Sequence, residues 1–269
     1  MKKILVPTDF YPVADNAIKY AIEIAAGFQS ELYLYHVYSF NKFNYDWDFP
    51  KDKQPYTKKV ERRMKRTRFK FMKKIKEKGL SIQTLVEEDG FFSLFKTKVI
   101  EHGVDMIVMG SKGASGLEKI VFGSIAATAL EMAKVPVLVV PPEHTFRQLG
   151  NIVLAIDHRK VPPNVLLPLQ KLAFKFGAKV TILNVYTHPN KNADRISDLH
   201  LDGIVTAYRE VPMSKSINET INKFIEKEGC DLLCMLRREK GFFERVFQKS
   251  ITKTQVFSNN VPLLVLPEV

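Results

Sequence analysis

The sequence predicts an α/β fold made of two tandem units, each an open parallel sheet, and two observations carry that prediction. Short apolar runs alternate along the chain with segments of helical periodicity, at lengths that suit right-handed βαβ crossovers. The pattern then starts again. NIVLAID (151–157) matches KILVPTD and KVTILNVY (179–186) matches ELYLYHVY, both 148 residues on; EGCDLLCM (228–235) matches HGVDMIVM and NVPLLVLP (260–267) matches KVPVLVVP, both 126 residues on. A duplicated domain is the simplest account, with expected bounds of 1–142 and 150–269 and PPEHTFRQLG (141–150) as the linker. The second copy is 22 residues shorter between its second and fourth strands, so it is expected to lack most of a helix found there in the first.

The elements of the first copy follow in order. KKILVP (2–7) is a buried strand ending on the polar pair Thr8-Asp9. Ala17, Ile18, Ala21, Ile24 and Ala25 recur at helical spacing within Asn16 to Gly27. ELYLYHVY (31–38) is the second strand. A loop with Phe40, Phe43, Tyr45, Trp47 and Phe49 then leads to a helix over 57–78, striped by Val60, Met64, Thr67, Phe71 and Ile75. LSIQTLVEE (80–88) is a strand, FFSLFKTKVIEHG (91–103) a helix, VDMIVMG (104–110) a strand; a glycine loop, a helix from Gly123-Ser124 and the strand PVLVVP (136–141) complete the copy. The aromatic loop, within Phe40 to Tyr56, either covers a ligand, meets a partner or packs on the second copy.

Charge and composition narrow the function classes. The net charge is +12, and Lys51 to Lys78 alone holds fourteen Lys/Arg against Asp52, Glu61 and Glu77. Clustered cations suit nucleic acid, but the apolar stripe docks this helix on the sheet and no nucleic-acid-binding motif is recognisable. The favoured reading is a solvated face. No stretch approaches the roughly 18 apolar residues of a membrane span, and MKKILVPTDF meets Pro7 and Asp9 too soon for a signal peptide, so a cytoplasmic protein is expected. Cys230 and Cys234 lie in the apolar run CDLLCML without nearby ligand partners and read as core thiols, not a metal site.

The stretch MGSKGASGLEKIVFGSIAATALEMAK (109–134) reads in two ways. Gly110, Gly113, Gly116 and Gly123 can bring backbone N–H groups close to a phosphate, with Ser124 capping a helix whose N-terminus favours anions. The same residues also suit a β-to-α connection that binds nothing.

Pro7-Thr8-Asp9, His36-Val37-Tyr38 and the Gly-x2-Gly-x9-Gly-Ser of Gly110, Gly113, Gly123 and Ser124 together resemble the universal stress protein family. The resemblance implies a doubly wound, Rossmann-like sheet in the order 3-2-1-4-5 in each copy, of the adenine nucleotide alpha hydrolase-like kind, with ATP bound where strands one and four flank the reversal. It places Pro7, Thr8 and Asp9 at the nucleoside, with Asp9 accepting from a ribose hydroxyl or else capping the first helix. It places Val37 and Met109 at the adenine, and Gly110, Gly113, Gly123, Ser124 and Ile125 around the phosphates, with Lys112 adding a charge or remaining solvated. In the second copy Leu236, Glu239 and Lys249 replace Gly110, Gly113 and Gly123, Ser250 alone keeps its type, and Ala155-Ile156 precede Asp157, so one nucleotide per chain is expected.

The functional expectation is a stress-response protein whose adenine nucleotide controls shape or affinity for a protein partner. The alternatives are a slow ATPase, with magnesium brought by the nucleotide, and a ligand-free scaffold. No catalytic residue is assigned, and His36 reads as structural. Family domains pair through their fifth strands, which implies an intramolecular pseudo-dimer that acts alone or pairs again as a homodimer.

Overall fold

The computed structural model describes residues 1–38, 53–88, 93–111, 122–157, 159–186, 199, 201–238 and 261–268, with no side chains at 53–55. The aromatic residues 40–49, Lys112, Gly113, Gly116, the stretch 187–198, Glu239, Lys249 and Ser250 lie outside this set.

One ten-stranded sheet runs through the molecule in the order β3-β2-β1-β4-β5-β10-β9-β6-β7-β8. The strands are β1 (Lys3–Pro7), β2 (Glu31–Tyr38), β3 (Ile82–Glu88), β4 (Met106–Gly110), β5 (Val137–Val140), β6 (Asn151–Ile156), β7 (Lys179–Tyr186), β8 (Thr206–Pro212), β9 (Leu232–Arg237) and β10 (Leu263–Pro267). The first five repeat the order 3-2-1-4-5, and the last five repeat it about the pairing of β10 with β5. That pairing is antiparallel, Leu263 opposite Val139 and Val265 opposite Val137, whereas neighbours within each half are parallel. Joining the two fifth strands covers an apolar edge on each half.

Among the described residues six helices cover the sheet: α1 (Pro12–Phe28), α2 (Lys53–Glu77), α3 (Val99–Glu101), α4 (Ser124–Met132), α5 (Leu167–Phe176) and α6 (Ile217–Glu228). A π-helical turn, Leu94–Lys98, leads into α3, and a 3₁₀ turn, Pro163–Leu166, into α5. Alternation along each strand feeds two cores. Ile4 and Val6 point to the face packed by α1, α2 and α5; Leu5, Ile107 and Met109 point to the face packed by α3, α4 and α6.

Helix α1 starts four residues before the predicted Asn16, because Pro12 at the first position presets the helical φ. It ends at Gln29, whose φ of 53° is left-handed. On α2, Val60, Met64, Phe71 and Ile75 are buried and Thr67 is half-buried, so the predicted stripe is the docked face. The 141–150 segment packs closely: Asn16 donates to the carbonyls of Pro141 and His144, Leu149 is buried, and Phe146 meets Tyr20 and Phe176. The thiols of Cys230 and Cys234 are free and buried, and burial pushes Cys230 up to about 12. Among the described residues no helix is long and apolar enough to cross a membrane.

Candidate functional site

Parallel strands deliver their carboxyl ends to one edge, and where β1 is flanked by β2 and β4 the chain turns away to opposite sides. A cavity of about 370 Å³ opens there, a size usual for small-molecule sites. It is lined by Pro7, Thr8, Asp9, Val37, Met109, Gly110, Gly123, Ser124 and Ile125, every predicted residue that lies within the described set. Tyr11, Ala14, Tyr35, His36, Leu94, Ser111 and Ala126 complete the wall.

The turn after β1 is tightly tied. Thr8 N donates to Tyr35 O at 2.9 Å, Phe10 N to Thr8 Oγ1 at 3.0 Å and Tyr11 N to Asp9 Oδ1 at 3.1 Å. Phe10 takes a left-handed φ of 68°, sparsely populated for an aromatic residue and held here by these bonds. The N-cap of α1 is Tyr11, without a side-chain cap. Asp9 therefore closes a side-chain turn and does not cap the helix, and its Oδ2 makes no bond among the described residues. That oxygen is available to a hydroxyl donor in the cavity.

His36 belongs to the same turn. Its Nδ1 lies 2.8 Å from Thr8 O; a carbonyl only accepts, so Nδ1 carries the proton and Nε2 of the neutral ring is an acceptor. Burial, with Arg63 nearby, holds its pKa below the ordinary value despite that bond and Asp9. Phe10 lies against the imidazole at 4.3 Å, and the Arg63 guanidinium sits 4.9 Å from the Phe10 ring centre. From its place on β2 alone His36 reads as structural. The structure puts it both in this network and in the cavity wall.

Leu94, Tyr35, Val37 and Met109 give the lining a buried apolar part, and Gly110, Ser111, Gly123 and Ser124 add polar backbone to it. Gly123 N donates to Ser111 O at 2.8 Å and Ser111 N to Val140 O at 3.0 Å, which brings the start of α4 beside the end of β4. The N-cap of α4 is Gly123, with φ −58° and ψ 158°, and Ser124 is the first helical residue. This corrects the assignment of Ser124 as the cap: its carbonyl accepts from Thr128 Oγ1 instead. Gly110 lies in extended strand and Gly123 also has negative φ, so neither serves through left-handed backbone. What they offer is close approach. The first-turn N–H groups of α4 have no side-chain cap and no intrahelical acceptor.

Ser111 was missed from the sequence, which marks it only as the neighbour of a glycine. It is 2 % exposed and its Oγ has no hydrogen-bond partner among the described residues, although the residue lines the cavity. Such a hydroxyl costs stability unless something else satisfies it.

The second half treats the equivalent place differently. Asp157, the counterpart of Asp9, binds Arg238 Nη1 through Oδ1 at 3.0 Å and Arg159 Nε through Oδ2 at 3.0 Å. Arg238 is buried, also donates to the carbonyls of Arg159 and Lys160, and pairs with Glu268 at 2.7 Å. It stands 126 residues after Lys112, and Leu236, after Gly110, is buried. A guanidinium of the chain itself thus neutralises Asp157, whereas Asp9 has no cation partner among the described residues. Among the described residues no cluster of three His, Cys, Asp or Glu is placed to hold a metal.

The pattern describing the universal stress protein family matches residues 1–141. A universal stress protein of Methanocaldococcus jannaschii is 32% identical over 152 residues, 52% of this chain and 81% of that one. Another from the same organism is 30% identical over 156 residues, 52% of this chain and 94% of that one. The crystal structure of a universal stress protein from Archaeoglobus fulgidus superposes with a TM-score of 0.75 over 99% of this chain and 98% of that one, at 18% identity, a likeness of fold. Motifs in register with one cavity, the family pattern over more than half of the chain and the sheet order lead to one conclusion: the chain belongs to the universal stress protein family.

Proposed function

We propose that the chain binds one adenine nucleotide, ATP in the first instance, in the cavity of its first half and that occupancy controls how it meets a protein partner. The observation that carries this reading is the pairing of opposite chemistries in one cavity. Buried apolar side chains share its lining with the first-turn N–H groups of α4, the Ser111 hydroxyl and an Asp9 oxygen, which have no side-chain partner among the described residues. In this reading Val37 and Met109 hold the base, Asp9 the ribose, and Gly110, Gly123, Ser124 and Ile125 the phosphates. Lys112 and Gly113 belong to the same loop, and any magnesium comes with the nucleotide. The chain divides into domains 1–142 and 150–269, with the second, closed on Arg238 and Asp157, binding no nucleotide.

Calorimetric titration of the full chain with ATP tests this, with one nucleotide per chain expected. Gly113→Glu, which copies the second half, abolishes binding while leaving the thermal unfolding midpoint of the free protein nearly unchanged. A stoichiometry of two, or no uptake of ATP, ADP or cyclic AMP by folded protein, would overturn it.

A further inference from the structure

Helix α2 carries far more charge than its place in the fold requires. Its core stripe, Val60, Met64, Phe71 and Ile75, is buried, and ion pairs run from Lys70 to Asp15 and from Lys74 and Lys78 to Glu23, the last two at 2.8 and 3.0 Å. Those pairs occupy the flank toward α1. At about 100° per residue, Lys58, Arg62, Lys65, Arg66, Lys73 and Lys76 fall in one sector on the opposite side of the helix. All six are exposed, and none has an ion-pair partner among the described residues. Glu61 lies off that sector and Glu77 at its C-terminal margin. In the middle of the cations stands Phe69, 81% exposed.

A face that only had to be soluble would mix signs, because like charges three and four residues apart destabilise a helix by a few tenths of a kcal/mol per pair. Here Lys58 and Arg62, Arg62 and Arg66, and Lys73 and Lys76 stand in that relation. We infer that this face is a binding surface for single-stranded nucleic acid, in which the cations track backbone phosphates and the Phe69 ring stacks on a base. From Lys58 to Lys76 the stripe is about 27 Å long at 1.5 Å per residue, enough to follow several phosphates. A protruding aromatic ring between cations suits unstacked bases, which a duplex hides. A membrane-surface helix needs its apolar face free, and that of α2 is buried in the sheet. The position of Phe69, outside the docking stripe, changes the solvated-face reading taken from the sequence.

The test uses the full chain and a fluorescent oligothymidylate of about 15 nucleotides, followed by anisotropy across a salt series with and without excess ATP. Binding is expected with a slope of log K against log salt near −4, about −0.7 for each of six cations. Arg62→Ala with Arg66→Ala lowers the slope by about 1.4. Phe69→Ala weakens binding about tenfold with the slope unchanged. Because these side chains are exposed, circular dichroism of each variant should match the parent. Failure to bind, equal binding of a duplex with no effect of Phe69→Ala, competition by ATP, or preference for phosphatidylserine vesicles over the oligonucleotide would each overturn the proposal.

Discussion

Replacing Arg237 by methionine removes a contact that joins the two halves through the helix at the cavity. The Arg237 guanidinium, at the end of β9, donates to Leu130 O at 3.1 Å and to Ala133 O, the last carbonyls of α4, and both residues are fully buried. Methionine keeps the apolar stem and leaves the two acceptors unpaired. A hydrogen bond from a charged donor contributes about 1.5–3 kcal/mol, and a cation at a partly buried helix C-terminus up to about 2. Dehydrating the guanidinium, which burial already holds below its ordinary pKa, offsets part of this. A net loss of about 2 kcal/mol is expected, or about 4 °C in Tm for a chain of this size. Urea unfolding measures the loss, and hydrogen exchange of the Leu130 to Ala133 amides localises it. A loss below about 0.5 kcal/mol, or unchanged exchange there, would refute the reasoning.

Three further outcomes follow from the site and its counterpart. Ser111→Ala removes a buried hydroxyl that has no partner among the described residues, so the free protein should gain up to about 1 kcal/mol or stay level while ATP affinity falls; lower stability with unchanged affinity would contradict the assigned role. Arg238→Gln leaves Asp157 and Glu268 short of a buried cation and should cost about 3 kcal/mol. Adding Asp157→Asn should recover part of that loss in urea melts, and strictly additive losses would count against the pairing. His36 has a depressed pKa in the folded state, so its neutral form contributes stability above the unfolded value of about 6.5. That contribution is lost as pH falls below this value toward the folded pKa. His36→Asn should flatten the dependence of the urea midpoint between about pH 5 and 7.5, and parallel curves for the two proteins would exclude His36 as its source.

Much of this was legible because it is local or periodic. The buried runs around Leu5, Leu34, Val108 and Leu138 announce strands bounded by polar or glycine residues, and their recurrence in the second half announces a second set of strands. The cavity residues could be named because their motifs resemble those of the universal stress protein family, whose strand order brings strand ends one and four to the same reversal. The less legible features depend on small choices. Pro12 and not Asn16 opens α1, Gly123 and not Ser124 caps α4, and a single wide turn sits at Leu94–Lys98, because each adds only a few backbone bonds to a periodic pattern. TAYREVP, which became β8, is an outer strand with exposed Arg209 and Glu210, and its weak apolar content hid it.

The amino-acid order by itself thus determined the α/β class, the repeat and the docked stripe of α2, since these follow from hydrophobic period. Tertiary structure alone decided which polar groups are paired. Arg237 reaches carbonyls 104 and 107 residues away, and Arg238 an acid 81 residues away. Ser111 Oγ is left without a partner among the described residues, and Phe69 is turned outward while Phe71, two residues on, is buried. Side-chain satisfaction depends on atoms brought together only when both halves of the sheet have closed on each other, and no local pattern in the chain encodes that distance.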